Sequence, residues 1–154
     1  MLELGFLQIV QWLLTPVLLL LALAFAYALW MAGVVMVEAW QRRRVPGFAL
    51  LREAESLTLD ELELQALGRM EPLRLLSRVT PMLGLIATMI PLGPALQGVA
   101  NGQGHAALSV FSGAFAGVVL ALTAASLGLV LYSARRRWLL AELLAVKRAR
   151  GEVA

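Results

Sequence analysis

The chain has 154 residues, 60% of them hydrophobic and 15% charged, with a mean hydropathy of +0.81. Soluble domains carry about 25% charged residues, so an ordinary water-soluble domain is excluded and a bilayer becomes the expected solvent. The absence of cysteine excludes a disulfide framework, a thiol nucleophile and a cysteine-based metal site, and the net charge of +3 comes without the interleaved exposed aromatics of a nucleic-acid surface.

Residues 1–12 carry Glu3 as their only charge and are expected at or beyond the membrane surface. Residues 13–40 read as a first transmembrane helix, since no charge lies between Trp12 and Glu38 and about 20 residues suffice to cross the hydrocarbon core. A cleaved signal peptide would instead have a basic start and a shorter apolar run, so a retained anchor is expected. Residues 41–79 form a polar insert, opened by the arginine cluster Arg42, Arg43 and Arg44 and by a "VPG" turn at 45–47. Within it, Thr58 precedes Glu61 at capping-box spacing, and Leu59, Leu62, Ala66 and Met70 follow at near-helical steps. A short amphipathic helix closing near Gly68 is expected, its apolar face packed on neighbouring helices or laid on the membrane. Its acidic side of Asp60, Glu61 and Glu63 reads as a solvated face.

Residues 80–100 and 108–134 read as the second and third spans, joined by a short loop at 101–107 that holds the only histidine, His105, as a solvated turn residue. Residues 135–154 continue the third helix as a basic tail, with Leu139, Leu143 and Val146 along one face. Seven basic residues in the insert and six in the tail make up all 13, so by the positive-inside rule the N-terminus is outside and the C-terminus cytoplasmic. Both basic segments would also attract anionic lipid heads.

Small and hydroxylated residues recur on one stripe of each closing span: Thr80, Gly84, Thr88, Pro91, Ala95 and Gly98 in the second, Gly113, Gly117, Ala121, Ala124 and Gly128 in the third. Lipid tails are as apolar as leucine, so such stripes bring helices together by close backbone approach. Thr80 with Pro81 reads as an N-cap followed by proline at the first helical position. Pro91 and Pro94 are expected to interrupt the second span and free carbonyls for protein or water. Thr88 lies deeper, where a hydroxyl is more comfortable beside a helix or a hydrated lumen than beside lipid. No catalytic set can be assembled, so neither an enzyme nor a cofactor is expected.

The run "TPMLGLIATMIPLGPAL" resembles the second-span signature of the MotA/TolQ/ExbB proton-channel family, and "AFAGVVLALTAASLGLVLYSARRRW" is similar to that family's closing span. The likeness covers about residues 78–138, and the "PLGPAL" ending resembles that of small members of the family. It implies an inner-membrane stator, a homo-pentamer around the single-span helices of an ExbD-, TolR- or MotB-like partner that carries a membrane aspartate. It also implies a proton path lined by hydroxyls of this chain, with Thr88 at the family's second-span threonine and Thr80, Thr123, Ser126 and Ser112 as further candidates. The third span departs from the pattern. Gly117 and Val118, or Ala125 in another register, stand where relatives often have threonine, and no acidic residue lies between Glu71 and Glu142. A non-conducting scaffold that keeps the stator fold is the alternative, and a holin-like pore or small transporter subunit a third.

Overall fold

The computed structural model describes residues 2–45 and 58–151. Apart from turns, these form three helices: α1 (Leu2–Arg44), α2 (Leu59–Ala100) and α3 (Gly104–Ala149). At 43, 42 and 46 residues, each is roughly 65 Å long, about twice the thickness of a hydrocarbon core. All three are long and apolar enough to cross a membrane, as a multi-pass membrane protein requires.

The helix ends follow local chemistry. Thr58 caps α2: its hydroxyl accepts from the Glu61 backbone N–H at 3.4 Å, and the Glu61 carboxylate accepts from the Thr58 N–H at 2.8 Å. That exchange satisfies donors the first turn leaves free, and Asp60 and Glu61 complement the helix dipole there. The last turn of α1 holds Arg42, Arg43 and Arg44, of favourable sign for a C-terminus. Pro46 and Gly47 of the expected turn lie outside the described residues. Between α2 and α3 the chain reverses through Asn101–Gln103. Gly102 sits there at φ +76°, and the N–H groups of Gly102 and Gln103 donate to the carbonyls of Val99 and Gly98. A side chain at Gly102 would be strained in that left-handed conformation.

Several expected boundaries disappear. The insert helix does not close at Gly68, and Thr80 and Pro81 are not a helix start: both lie inside one unbroken α2. Pro72, Pro81, Pro91 and Pro94 all lie within that helix, and Pro16 within α1. A proline removes one donor and crowds the carbonyl four residues earlier, yet its fixed φ is itself helical, so the helix continues where packing supports it. The membrane edges expected at 12/13, 40/41, 79/80, 107/108 and 134/135 are not helix ends: polarity changes along continuous helices there, as the reading of 135–154 as an extension of the third helix requires at the last of them. The loop between spans two and three is confined to Asn101–Gln103, with His105 already in α3.

Contacts between side chains fix how the helices run. α2 and α3 are antiparallel, with Gly84 against Ala121, Leu76 against Gly128 and Glu63 against Lys147. α1 runs parallel to α3, with Leu18 against Gly117, Glu38 against Arg135 and Arg42 against Glu142. Three apolar clusters lie along the bundle. Nearest the hairpin turn, Val17, Leu21, Ala87 and Ala121 pack together; next come Ala28, Leu76 and Ala124; at the basic end Leu62, Ala66 and Met70 of α2 meet Leu139 and Leu143 of α3. The last cluster accounts for the amphipathic insert and tail: their apolar faces cover each other. On the acidic side, Asp60 and Glu61 are exposed, and Glu63, its side chain 46% exposed, pairs with Lys147 at 2.5 Å.

Candidate functional site

The run at residues 78–96 lies on the middle of α2. Of the expected stripe, Thr80, Gly84, Pro91 and Ala95 are buried while Thr88 and Gly98 are half-buried; Ala87, not expected on the stripe, is buried in the place given to Thr88. Gly84 is the tightest point, since a Cβ there would come 2.6 Å from the Ala121 Cβ. On α3, Gly117, Ala121, Ala124 and Gly128 are buried, and Cβ atoms at Gly117 and Gly128 would meet Leu18 at 3.3 Å and Leu76 at 3.2 Å. Gly113 differs. It is exposed, with open space where a Cβ would be, so it packs nothing within one chain.

The candidate hydroxyls divide into three places. Thr80 is 2% exposed and lines a groove of about 390 Å³ between α1 and α2, with Leu20, Leu23, Tyr27 and Leu83. Thr88 is half-buried and flanks the packed stripe, about 140° around the helix from Leu83, which packs against the cluster holding Val17 and Leu21 of α1. Ser112, Thr123 and Ser126 are exposed on the side of α3 away from Ala121, and Ser109 and Ser133, not among the expected candidates, continue the same face. The steps of three, seven and eleven among these residues are near-whole numbers of turns, a signal present in the sequence. One chain therefore does not bring Thr88 together with Ser112, Thr123 or Ser126.

The hydroxyls of Thr88, Ser112, Thr123 and Ser126 are each engaged by their own helix. Thr88 donates to the Leu85 carbonyl at 2.8 Å, Ser112 to Ser109 at 2.9 Å, Thr123 to Val119 at 2.7 Å and Ser126 to Leu122 at 2.7 Å. A hydroxyl so bonded can face lipid without a large penalty, yet its oxygen keeps lone pairs to accept from water or from a protonated acid. The donor is spent locally; the acceptor is not.

A second polar feature is not signalled by the sequence. Glu38 of α1 and Arg135 of α3 are 7% and 9% exposed and pair at 2.6 Å. One turn further toward the basic end, Arg42 pairs with Glu142, and its guanidinium lies 5.1 Å from the centre of the Trp138 ring. Glu38 and Arg42 stand one turn apart on α1, while Arg135, Trp138 and Glu142 share a face of α3. Those spacings are readable, but nothing in them says that two separate helices meet. Among the described residues, no group of acidic, histidine or cysteine side chains is placed to hold a metal. In comparisons with protein-family models, curated proteins and solved structures, nothing matches this chain.

Proposed function

We propose that the chain is the multi-span stator subunit of a proton-motive-force-driven complex in a bacterial inner membrane, with its N-terminus outside and both basic segments in the cytoplasm. In this reading copies assemble as a pentamer around a single-span partner whose membrane helix carries an aspartate. The observation that carries the reading is the "LGLIAT" run on α2, which leaves Thr88 on the flank of a packed small-residue stripe. A charge near the bilayer centre costs on the order of 3 kcal/mol or more, so the partner's aspartate requires a polar, wettable wall. The Thr88 oxygen, with its proton directed to Leu85, is an acceptor for water or for the protonated aspartate.

The test is proton flux in proteoliposomes holding this chain with its co-purified partner. Thr88→Val should reduce flux severalfold without disassembling the complex, while Thr88→Ser should retain it. Unchanged flux in the valine variant would refute the role of Thr88. The self-bonded hydroxyls and the missing third-span threonine favour one second reading, a non-conducting scaffold on the same fold. It predicts an assembled complex with no flux in the unmodified chain.

A further inference from the structure

We propose that the charge pairs Glu38–Arg135 and Arg42–Glu142 form a clasp that sets the register in which α1 seats on α3, by penalising the neighbouring registers. The inference does not depend on whether the assembled protein conducts ions.

The apolar part of α1 discriminates weakly between registers. Val17, Leu21 and Ala28 pack with Ala87, Ala121, Ala124 and Leu76, and Leu18 and Leu21 lie over Gly117; one turn away from each of these α1 residues stands another apolar side chain. From Leu13 to Val37 the helix carries no charge, so its apolar surface continues above and below each contact. Lipid offers no hydrophobic penalty for sliding such surfaces past each other.

The charges do discriminate. Along α1 the order is acid then base, and along α3 it is base then acid. A slip of one turn, about 5.4 Å, toward the hairpin brings Arg42 to the level of Arg135. The opposite slip brings Glu38 to the level of Glu142. Both put like charges together in a site from which most water is excluded, and both also leave a charge without its counter-ion. The Trp138 ring beneath Arg42 adds a contact that exists in the observed register. Stability is not the better account of the clasp: the Glu38 Oε2 and Arg135 Nε atoms are buried and, among the described residues, make no hydrogen bond. Imperfectly paired buried charges contribute little net energy, while removing their partner costs much. That asymmetry suits a register device.

Because the chain has no cysteine, engineered pairs report register directly in the full-length protein in its membrane. With Gly117→Cys fixed, Leu18→Cys reads the observed register, and Leu14→Cys and Ala22→Cys read the two slipped ones. Intrachain disulfides are quantified by mass spectrometry. With the clasp intact, the 18–117 disulfide should exceed the other two by about tenfold or more. Replacing all four clasp residues with leucine should spread cross-links over the three pairs. Reversing one pair (Glu38→Arg with Arg135→Glu) keeps both attractions but removes the like-charge clash, since a slipped Arg42 then meets a carboxylate at the position where arginine stood. The slipped fraction should rise severalfold. Reversing both pairs together restores the alternation and should return cross-linking to 18–117. A four-leucine variant confined to 18–117, a one-pair reversal as selective as the parent, or a two-pair reversal that fails to recover selectivity would each overturn the proposal.

Discussion

Gly84 and Gly113 are both glycines on small-residue stripes, and only their surroundings separate them. Adding a methyl group at Gly84 forces it within 2.6 Å of the Ala121 Cβ, whereas at Gly113 it meets open space. Gly84→Ala should therefore destabilise the bundle by about 1–3 kcal/mol, the usual cost of overpacking, and Ala121→Gly should recover part of the loss. Thermal unfolding in detergent reads both. Gly113→Ala should leave unfolding of the single chain unchanged, so a drop in oligomer yield for that variant would mark Gly113 as a contact between copies. Thr88→Val should be tolerated, since the hydroxyl's hydrogen bond is to its own helix and is lost together with the group that needs it.

At the scale of the helix, α2 depends on a start far from the span that gives it interest. Thr58→Ala removes the cap acceptor and should cost about 1 kcal/mol, appearing as faster amide exchange over the first turns and not at Thr88. The partner in that cap is pH-sensitive. Glu61 is held below the ordinary glutamate value by hydrogen bonds from the Thr58 backbone and then its side chain. A lowered carboxylate contributes stability above its unfolded value and loses it as pH falls through the folded one. The α2 start should thus fray as pH drops below the ordinary glutamate range, and Glu61→Gln should abolish that dependence in an exchange experiment.

The whole molecule is a long α2–α3 hairpin with α1 seated along one side. Much of its apolar surface stays exposed in a single chain, including Leu85 at 64% and Val119 at 63%. Such residues are at home against lipid or other copies. Native mass spectrometry of the detergent-extracted protein should give a pentamer, and a stable monomer would refute the proposed assembly. The single-cysteine variants His105→Cys and Gly151→Cys should react with impermeant reagents from opposite faces of the membrane, position 105 from outside.

Spans, caps and charge bias were legible along the chain because each depends on neighbours a few residues away. Hydropathy alone marks three bilayer-length runs, and the Thr58–Glu61 box is complete within four consecutive residues. The second-span stripe was likewise readable, since helical periodicity puts Thr80, Gly84, Pro91 and Ala95 on one face. Local signals misled where they are ambiguous: Gly68 and Pro91 carry helix-ending chemistry and Thr80–Pro81 helix-starting chemistry, yet each lies inside α2, where packing against α3 supports the helix through them. No periodicity could tell that Thr88 and the α3 hydroxyls lie on different faces of the bundle, that Gly84 is tight while Gly113 is open, or that Glu38 and Arg135 meet across 97 residues of chain. Those are relations between helices, and they exist once α1, α2 and α3 are packed in one register.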